Sequence, residues 1–410
     1  MKLLVIGNYY EPEVTSGIYM VKNLYEHLAE KGVQVDVVIP SPSRGISKEQ
    51  AEDYNGKDEL LKDGRLHLHR IKIFPEGHNI FGRALRYGLI QVRLYKAAKR
   101  ICADVVFCQS TPPIIGITAS LIAKKKKIPF VYNLHDVFPD SMVNAGMTRE
   151  GSWIFRIGRK VENYVYKNAV HIIAVSKGIQ DNVIQKGVDP NKVSVVSNWV
   201  DEEVVHYVPR EQNELISRWD LDPTKFYVVY AGNLGTSQDI DVILDAAATI
   251  QDKKDILFLI IGNGVEEDRL KKKAMDMKLK NVLFFPMQPY KDVSYVYSLG
   301  DVGIVTCKLG VGSAGMPSKT WSIMATGRPL LVCFDDQSEL RGLIDEIQAG
   351  LCVDPENVEG LAKNIKYLAE NREIRDKMGD NGRHYIDNNL TKRICVEKYY
   401  NVLLRAVGKS

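Results

Sequence analysis

The stretch KLGVGSAGMPSKTWSIMATGRPLL, residues 308–331, sets a flexible loop, a single lysine and a helix start side by side. Pro317 suits the first turn of a helix, where its missing N–H costs nothing, and Gly327 with Pro329 suits the end. Lys319 then stands in that first turn, where backbone N–H groups and a cation together can hold an anion. Two other loops share the theme. YAGNLG carries Gly232, Asn233 and Gly235, and IIGNG carries Gly262, Asn263 and Gly264, each directly after an apolar run. Glycines there let the backbone approach a bulky anion such as a diphosphate. A helix terminus contributes about 0.3–2 kcal/mol toward an anion, and a hydrogen bond to a charged group roughly 1.5–3 kcal/mol. Glycine loops alone would therefore hold a diphosphate weakly. Lys319 is the candidate cation, against the bland reading of a solvated surface lysine.

Other residues are placed for polar work. GNYYEPEVTSG contains Tyr10, Glu11, Ser16 and Gly17 ahead of an amphipathic helix, whose first N–H groups can hold an anion or a hydroxyl. It is not GxGxxG, so a dinucleotide site is not indicated. HDVFPDS puts His135 and Asp136 at the carboxyl end of the strand PFVYNL, for contact with a ligand or, for Asp136, as a helix cap. The Asp220/Asp222 and Asp239/Asp241 triplets read as capping or solvated residues, and no metal follows from them. Residues 81–102 form a helix with Arg83, Arg86, Arg93, Lys96 and Arg100 on one arc and Phe81, Leu85, Leu89 and Val92 on an adjacent one. With WIFRIGRK (153–160) this helix could lie on an anionic membrane surface, or be a core helix with a basic outer edge.

These loops need strands and helices to hold them. Continuous apolar, β-rich runs recur at 3–7, 35–40, 67–74, 104–109, 129–134, 171–176 and 193–197. A second series lies at 226–232, 256–262, 281–286, 302–307, 329–334 and 350–354, with helical patterns between the runs. Such strands alternating with helices mean parallel sheets covered on both faces. Two series imply two doubly wound domains, residues 1–203 and 204–390, and the last helix, near 391–407, must dock on one of them. In open parallel sheets ligands sit beyond the carboxyl ends of the strands, so a central cleft between the domains is the expected site.

Composition agrees. At 410 residues the chain is long for one core, and 45% hydrophobic with 26% charged residues is the balance of a globular protein. A net charge of +4 argues against a dedicated nucleic-acid binder while leaving room for a local basic patch. Six cysteines without CxxC spacing fit a reducing cytosol and small core residues. MKLLVIG stops too soon for a signal peptide, and no apolar run spans a membrane.

In their order along the chain, YYEPEVTSG, GNLGTSQDID, IIGNG, SNWVD and MPSKTWSIMATGRPLL resemble glycosyltransferase family four. GNLG, PSKTWSIMATGRP and HDVFPD look most like its bacterial O-antigen, capsule and exopolysaccharide subgroup, which includes L-fucosamine transferases. The resemblance implies the GT-B fold, two Rossmann-like domains with the helix 391–410 crossing back onto the first, and a retaining, metal-independent transferase without cofactor. It implies transfer of a sugar, expected to be an N-acetyl amino sugar, from UDP rather than GDP to a lipid-linked saccharide. The work would be done in the cytoplasm, at the inner membrane face. His135, Asp136 and Lys319 would stand at the reacting centre. Gly17, the two glycine loops, Pro286, Met287, Ser313, Gly315, Met316 and Ser318 would hold the donor, with Tyr10, Glu11 and Ser16 on the acceptor side. The family's paired glutamates fall at Ala314 and Ser322, and its diphosphate-binding Arg and Lys at Asn233 and Gln238, which leaves Lys319 as the remaining cation. A nucleotide-sugar 2-epimerase of the same fold and a non-catalytic nucleotide-sugar-binding partner are the alternatives.

Overall fold

The computed structural model of the chain describes residues 1–13, 17–73, 80–144, 147–312 and 316–409, with the side chains of 80–84 and 144 outside that description. The chain divides into two compact units, residues 1–198 with 395–410, and residues 199–394.

Unit 1 is built on eight strands: β1 (Lys2–Ile6), β2 (Gln34–Pro40), β3 (Glu59–Leu61), β4 (Leu66–Ile71), β5 (Val105–Gln109), β6 (Phe130–Leu134), β7 (His171–Ala174) and β8 (Val193–Val195). Their order is β3-β4-β2-β1-β5-β6-β7-β8. Every pairing is parallel except β3 with β4, and Leu3 stands opposite both Val35 and Val105 at the centre. Seven strands coincide with the apolar runs. The eighth, β3, is three residues long with Leu60 and Leu61 exposed, too short and too open to leave an apolar signature.

The helix Ile80–Ala98 covers one face, and its Ile90, Leu94 and Ala98 join Leu4, Ile6, Val106 and Cys108 in the core. Each such buried aliphatic side chain contributes about 1.5–3 kcal/mol relative to exposure. The other apolar arc of this helix points outward, with Leu85, Leu89 and Val92 exposed by 67, 42 and 51%. The helix Ile115–Lys126 packs beside it, and the helix Trp153–Asn168 beside that.

Unit 2 holds six parallel strands: β9 (Phe226–Ala231), β10 (Ile256–Ile261), β11 (Val282–Phe285), β12 (Val302–Thr306), β13 (Leu330–Cys333) and β14 (Gly350–Val353). The order is β11-β10-β9-β12-β13-β14, and all six coincide with the second series of apolar runs. β9 is buried along its whole length, as a central strand covered on both faces must be. The chain then runs through the helices Val358–Glu370, Arg372–Asn389 and Lys392–Ala406. Residues 395–410 pack in unit 1, where Cys395, Val396, Tyr399, Val402 and Leu403 are buried.

Candidate active site

In unit 2 the functional geometry gathers at the carboxyl end of β9. Gly232 follows the strand at φ 143 and donates its N–H to Ile261 O at 2.9 Å. The two glycine loops lie against each other. Leu234 N donates to Asn263 O at 2.8 Å, and a Cβ on Gly262 would stand 1.9 Å from Gly232 O. On Gly264 (φ 159) a Cβ would meet Leu234 O at 2.3 Å. Gly262 and Gly264 are therefore required by backbone-on-backbone packing. Gly235 is hemmed by Asn233 and Gln238, and Tyr230 Oη donates to Asn233 O at 2.8 Å, pinning the turn. Asn233 itself stays exposed.

Lys319 reaches this turn from the helix Ser318–Ala325, whose N-cap is Pro317. Its Nζ lies 3.9 Å from the centroid of the Tyr230 ring and 3.0 Å from where a Gly232 Cβ would be. Burial pushes its pKa down to about 7. Among the described residues no carboxylate forms an ion pair with it. A half-desolvated ammonium, a glycine turn and a helix N-terminus thus converge, which is an arrangement suited to an anion. Asp335 holds the preceding loop by accepting from Gly310 N and Gly312 N, both at 2.8 Å. Ser313, Ala314 and Gly315 lie outside the described residues. Met316 is half-buried and Ser318 exposed beside Lys319 in the chain, while Pro286 and Met287 form an exposed turn after β11.

The Asp-x-Asp triplets show no metal geometry. Asp222 caps a turn through Thr224 N at 2.9 Å. Asp241 opens the helix Asp241–Thr249 and pairs with Arg269 at 2.6 Å and Lys273 at 2.9 Å, and Arg269 leads in holding it down to about 2. Asp239 departs from the solvated reading. It is 8% exposed at φ 47, and burial raises its pKa.

Unit 1 carries a pocket of about 300 Å³ at the carboxyl ends of its strands, lined by Gly7, Asn8, Tyr9, Gly17, Arg44, Gln109, Thr111 and His135 among others. Gly17, at φ 79, is the N-cap of the helix Ile18–Glu30. The pocket's aromatic is Tyr9, with the Arg44 guanidinium 5.0 Å from its ring centroid. Tyr10 turns the other way into the core, stacked on Tyr25 at 6.3 Å. Glu11 pairs with Lys22 at 2.8 Å and does not line the pocket, and Ser16 lies outside the described residues. Arg44 was not singled out by sequence. Buried Glu13 positions it by accepting from Ser43 N and Arg44 N at 2.9 and 3.2 Å.

His135 is held at its backbone and at one ring nitrogen. Its N–H donates to buried Ser110 Oγ at 3.0 Å, Asn133 Nδ2 lies 2.9 Å from its Nε2, and Tyr399 Oη donates to Asn133 Oδ1 at 3.1 Å. With Oδ1 accepting from tyrosine, the Asn133 amide donates to Nε2, so the neutral ring carries its proton on Nδ1. Burial pushes its pKa down to about 4, which keeps it neutral at physiological pH. Asp136 is exposed, with its N–H on Ser110 Oγ at 3.3 Å, and is not among the pocket residues.

The model of Glycosyltransferase Family 4 matches residues 19–204, and that of Glycosyl transferases group 1 matches residues 211–385. With such a model on each of its two parts, this chain is a glycosyltransferase. The glycosyltransferase WbjE of Pseudomonas aeruginosa is 28% identical over 76% of this chain and 76% of its own length. WcaI of Escherichia coli (strain K12), whose name places it in colanic acid biosynthesis, is 26% identical over 98% of this enzyme and 99% of its own length. A Campylobacter jejuni transferase named for adding N-acetylgalactosamine to a diphospho-undecaprenol-linked saccharide is 20% identical over 75% of this chain and 78% of its own. Among solved structures, Anabaena HepE in complex with UDP superposes with TM-score 0.75 at 15% identity, covering 99% of this glycosyltransferase and all of HepE. These structural neighbours are GT-B glycosyltransferases, and the two Rossmann-like α/β units are the fold of that class.

Proposed function

We propose that the enzyme transfers a sugar, with retention and without a metal, from a UDP-sugar to a lipid-linked saccharide during surface polysaccharide synthesis. The observation that carries this reading is Lys319, a half-buried ammonium at a helix N-terminus beside the Gly232 turn. The diphosphate would sit on Lys319 and the N–H groups of that helix, where charge develops as the leaving group departs. The UDP complex of HepE supports uracil as the base, and the names of WcaI and the Campylobacter transferase support the polysaccharide setting and the lipid-linked acceptor. An N-acetyl amino sugar, of the kind the L-fucosamine subgroup transfers, is the donor sugar we favour.

The unit 1 pocket, with Tyr9, Arg44 and neutral His135, would receive the acceptor. His135 is too weak a base at neutral pH to take the acceptor proton. In the step proposed here the acceptor oxygen bonds to the anomeric carbon as the bond from that carbon to the phosphate oxygen breaks. The hydroxyl proton passes to the departing phosphate. The outward arc of Leu85, Leu89 and Val92, with Trp153 and Ile157 exposed by 72 and 53% on the helix two places along, would rest on an anionic bilayer. Arg156 and Lys160 beside Trp153 supply matching charge. Among the described residues no helix is long and apolar enough to cross a membrane.

A thermal-shift panel of UDP, GDP and UDP-sugars tests the donor assignment, since a ligand at a hundred times its Kd adds about 2.7 kcal/mol. The reading requires stabilisation by uridine nucleotides and transfer to a lipid-linked saccharide. Donor turnover without any acceptor would replace it with the epimerase.

A further inference from the structure

A second cluster of chemistry-bearing side chains lies on unit 1 away from the pocket lining. β2 and β4 are parallel neighbours in the register Asp36↔His67 and Val38↔His69. Alternation along β4 buries Leu66, Leu68 and Arg70 and places His67 and His69 together on the opposite face. The two rings sit 3.7 Å apart, centroid to centroid. Asp36 faces one edge of both rings, with its Oδ1 2.9 Å from His69 Nε2 and 3.7 Å from His67 Nδ1. Asp58 faces the other edge of both, with its Oδ2 3.5 Å from His69 Nδ1 and 3.7 Å from His67 Nε2.

We infer that Asp36, His67 and His69 form a binding site for a divalent transition-metal ion of the zinc class, with Asp58 as the carboxylate that orients both imidazoles. One ligand atom from each of the three residues falls within 4.8 Å of the others. Bonds of 2.0–2.1 Å give a zinc tetrahedron edges of about 3.3–3.4 Å, so this triangle closes on an ion with shifts no larger than a side-chain rotation supplies. A ligating histidine characteristically gives its second ring nitrogen to a carboxylate, which fixes the tautomer and aims the first nitrogen at the metal. Here one Asp58 oxygen lies 3.5 and 3.7 Å from the two second ring nitrogens, near enough for a side-chain rotation to bond them. Imidazole and carboxylate are the donor set for zinc and its neighbours rather than for magnesium or calcium. The ion would tie β2 to β4 near the edge of the sheet and leave a coordination position for water. None of the four residues lines the 300 Å³ pocket.

The full chain, stripped with a chelator and dialysed, should be titrated with Zn²⁺ by calorimetry and with Co²⁺ by visible absorption. One ion per chain is expected, with the intense bands of low-coordinate cobalt. The H67Q/H69Q double variant should lose that binding at least a hundredfold, and Asp58→Asn should weaken it 10–100-fold. Circular dichroism checks that both variants fold. Wild-type protein that takes up no stoichiometric zinc, or a folded double variant that binds as the wild type does, overturns the assignment. Should the double variant fail to fold, substoichiometric Co²⁺ must broaden the His67 and His69 ring resonances of the wild type. Unbroadened resonances overturn it equally.

Discussion

The Lys319 ammonium stands 3.9 Å from the centroid of the ring of Tyr230, which lies near the end of β9, two residues before Gly232. The ring quadrupole holds the cation without neutralising it. A carboxylate there would pair the charge and leave nothing for a ligand. Lys319→Ala should therefore weaken UDP binding 10–100-fold, the worth of one charged hydrogen bond. Calorimetric titration of UDP reads this directly, and an unchanged Kd would remove the diphosphate from this residue.

The same lysine should make binding take up a proton. Burial holds it down to about 7, against an ordinary value of 10.5. A diphosphate favours the charged form, so above pH 7 each UDP bound draws a proton onto Lys319. Affinity should then fall as pH rises past 7, up to about tenfold per unit. Calorimetry at pH 8 in buffers of different ionisation enthalpy should show uptake approaching one proton, lost in Lys319→Ala. Folding is linked with the opposite slope. The unfolded chain holds more protons between about 7 and 10.5, so this group's contribution to stability rises with pH across that window.

Tyr399→Phe should disturb His135 without touching the donor. Removing the tyrosine hydroxyl leaves Asn133 Oδ1 without its buried donor, at a cost of about 1–3 kcal/mol. The amide is then free to turn over and reverse the histidine tautomer. Expected are a lowered melting temperature and a several-fold lower kcat with the UDP Kd unchanged. The His135 ring itself should titrate near 4 by NMR. Because that folded-state value lies below the unfolded value of 6.5, the stability it carries is lost as pH falls from about 6.5 toward 4.

Much of this was legible in the residues, and the exceptions have physical causes. Fully buried parallel strands write themselves as unbroken apolar runs, which is why all of unit 2's sheet could be read. Lys319 was legible because a proline marks its helix start. Between Tyr9 and Tyr10 no pattern decides, since the choice depends on how a loop leaves β1. Glu13, Arg44 and Asn133 escaped for another reason. Each acts through a partner far along the chain, and Tyr399 reaches Asn133 across 266 residues. The outward arc of the Ile80–Ala98 helix was visible as an arc, but only the buried Ile90 and Leu94 tell which arc is core.

Glycines that look alike in sequence should respond oppositely to alanine. A Gly262 Cβ would stand 1.9 Å from Gly232 O, backbone that cannot yield without opening the loop pair. Gly262→Ala should cost well over 3 kcal/mol in chemical denaturation, or prevent folding. At exposed Gly88, in the Ile80–Ala98 helix, a Cβ meets nothing within 4 Å, and Gly88→Ala should stabilise by about 0.5–1 kcal/mol. Equal effects at the two positions would mean that the glycine loops do not pack on each other.

The exposed apolar arc gives the last prediction. Leu89, Val92, Trp153 and Ile157 are exposed by 42, 51, 72 and 53%, and Arg156 and Lys160 stand beside Trp153 and Ile157 on their helix. On a bilayer with anionic headgroups, each basic side chain near the surface adds about 1 kcal/mol, and the apolar residues enter the interface. Vesicles containing a third anionic lipid should sediment the protein, and neutral vesicles much less. Raising salt from 0.1 to 0.5 M should release much of it, since screening shortens the reach of the charges. The Leu89→Ser and Trp153→Ser double variant should bind at least tenfold more weakly while keeping wild-type UDP affinity. Its activity on a water-soluble, short-chain acceptor should then be normal and its activity on a membrane-embedded one low. A double variant as active on vesicles as the wild type would take this face away from the membrane.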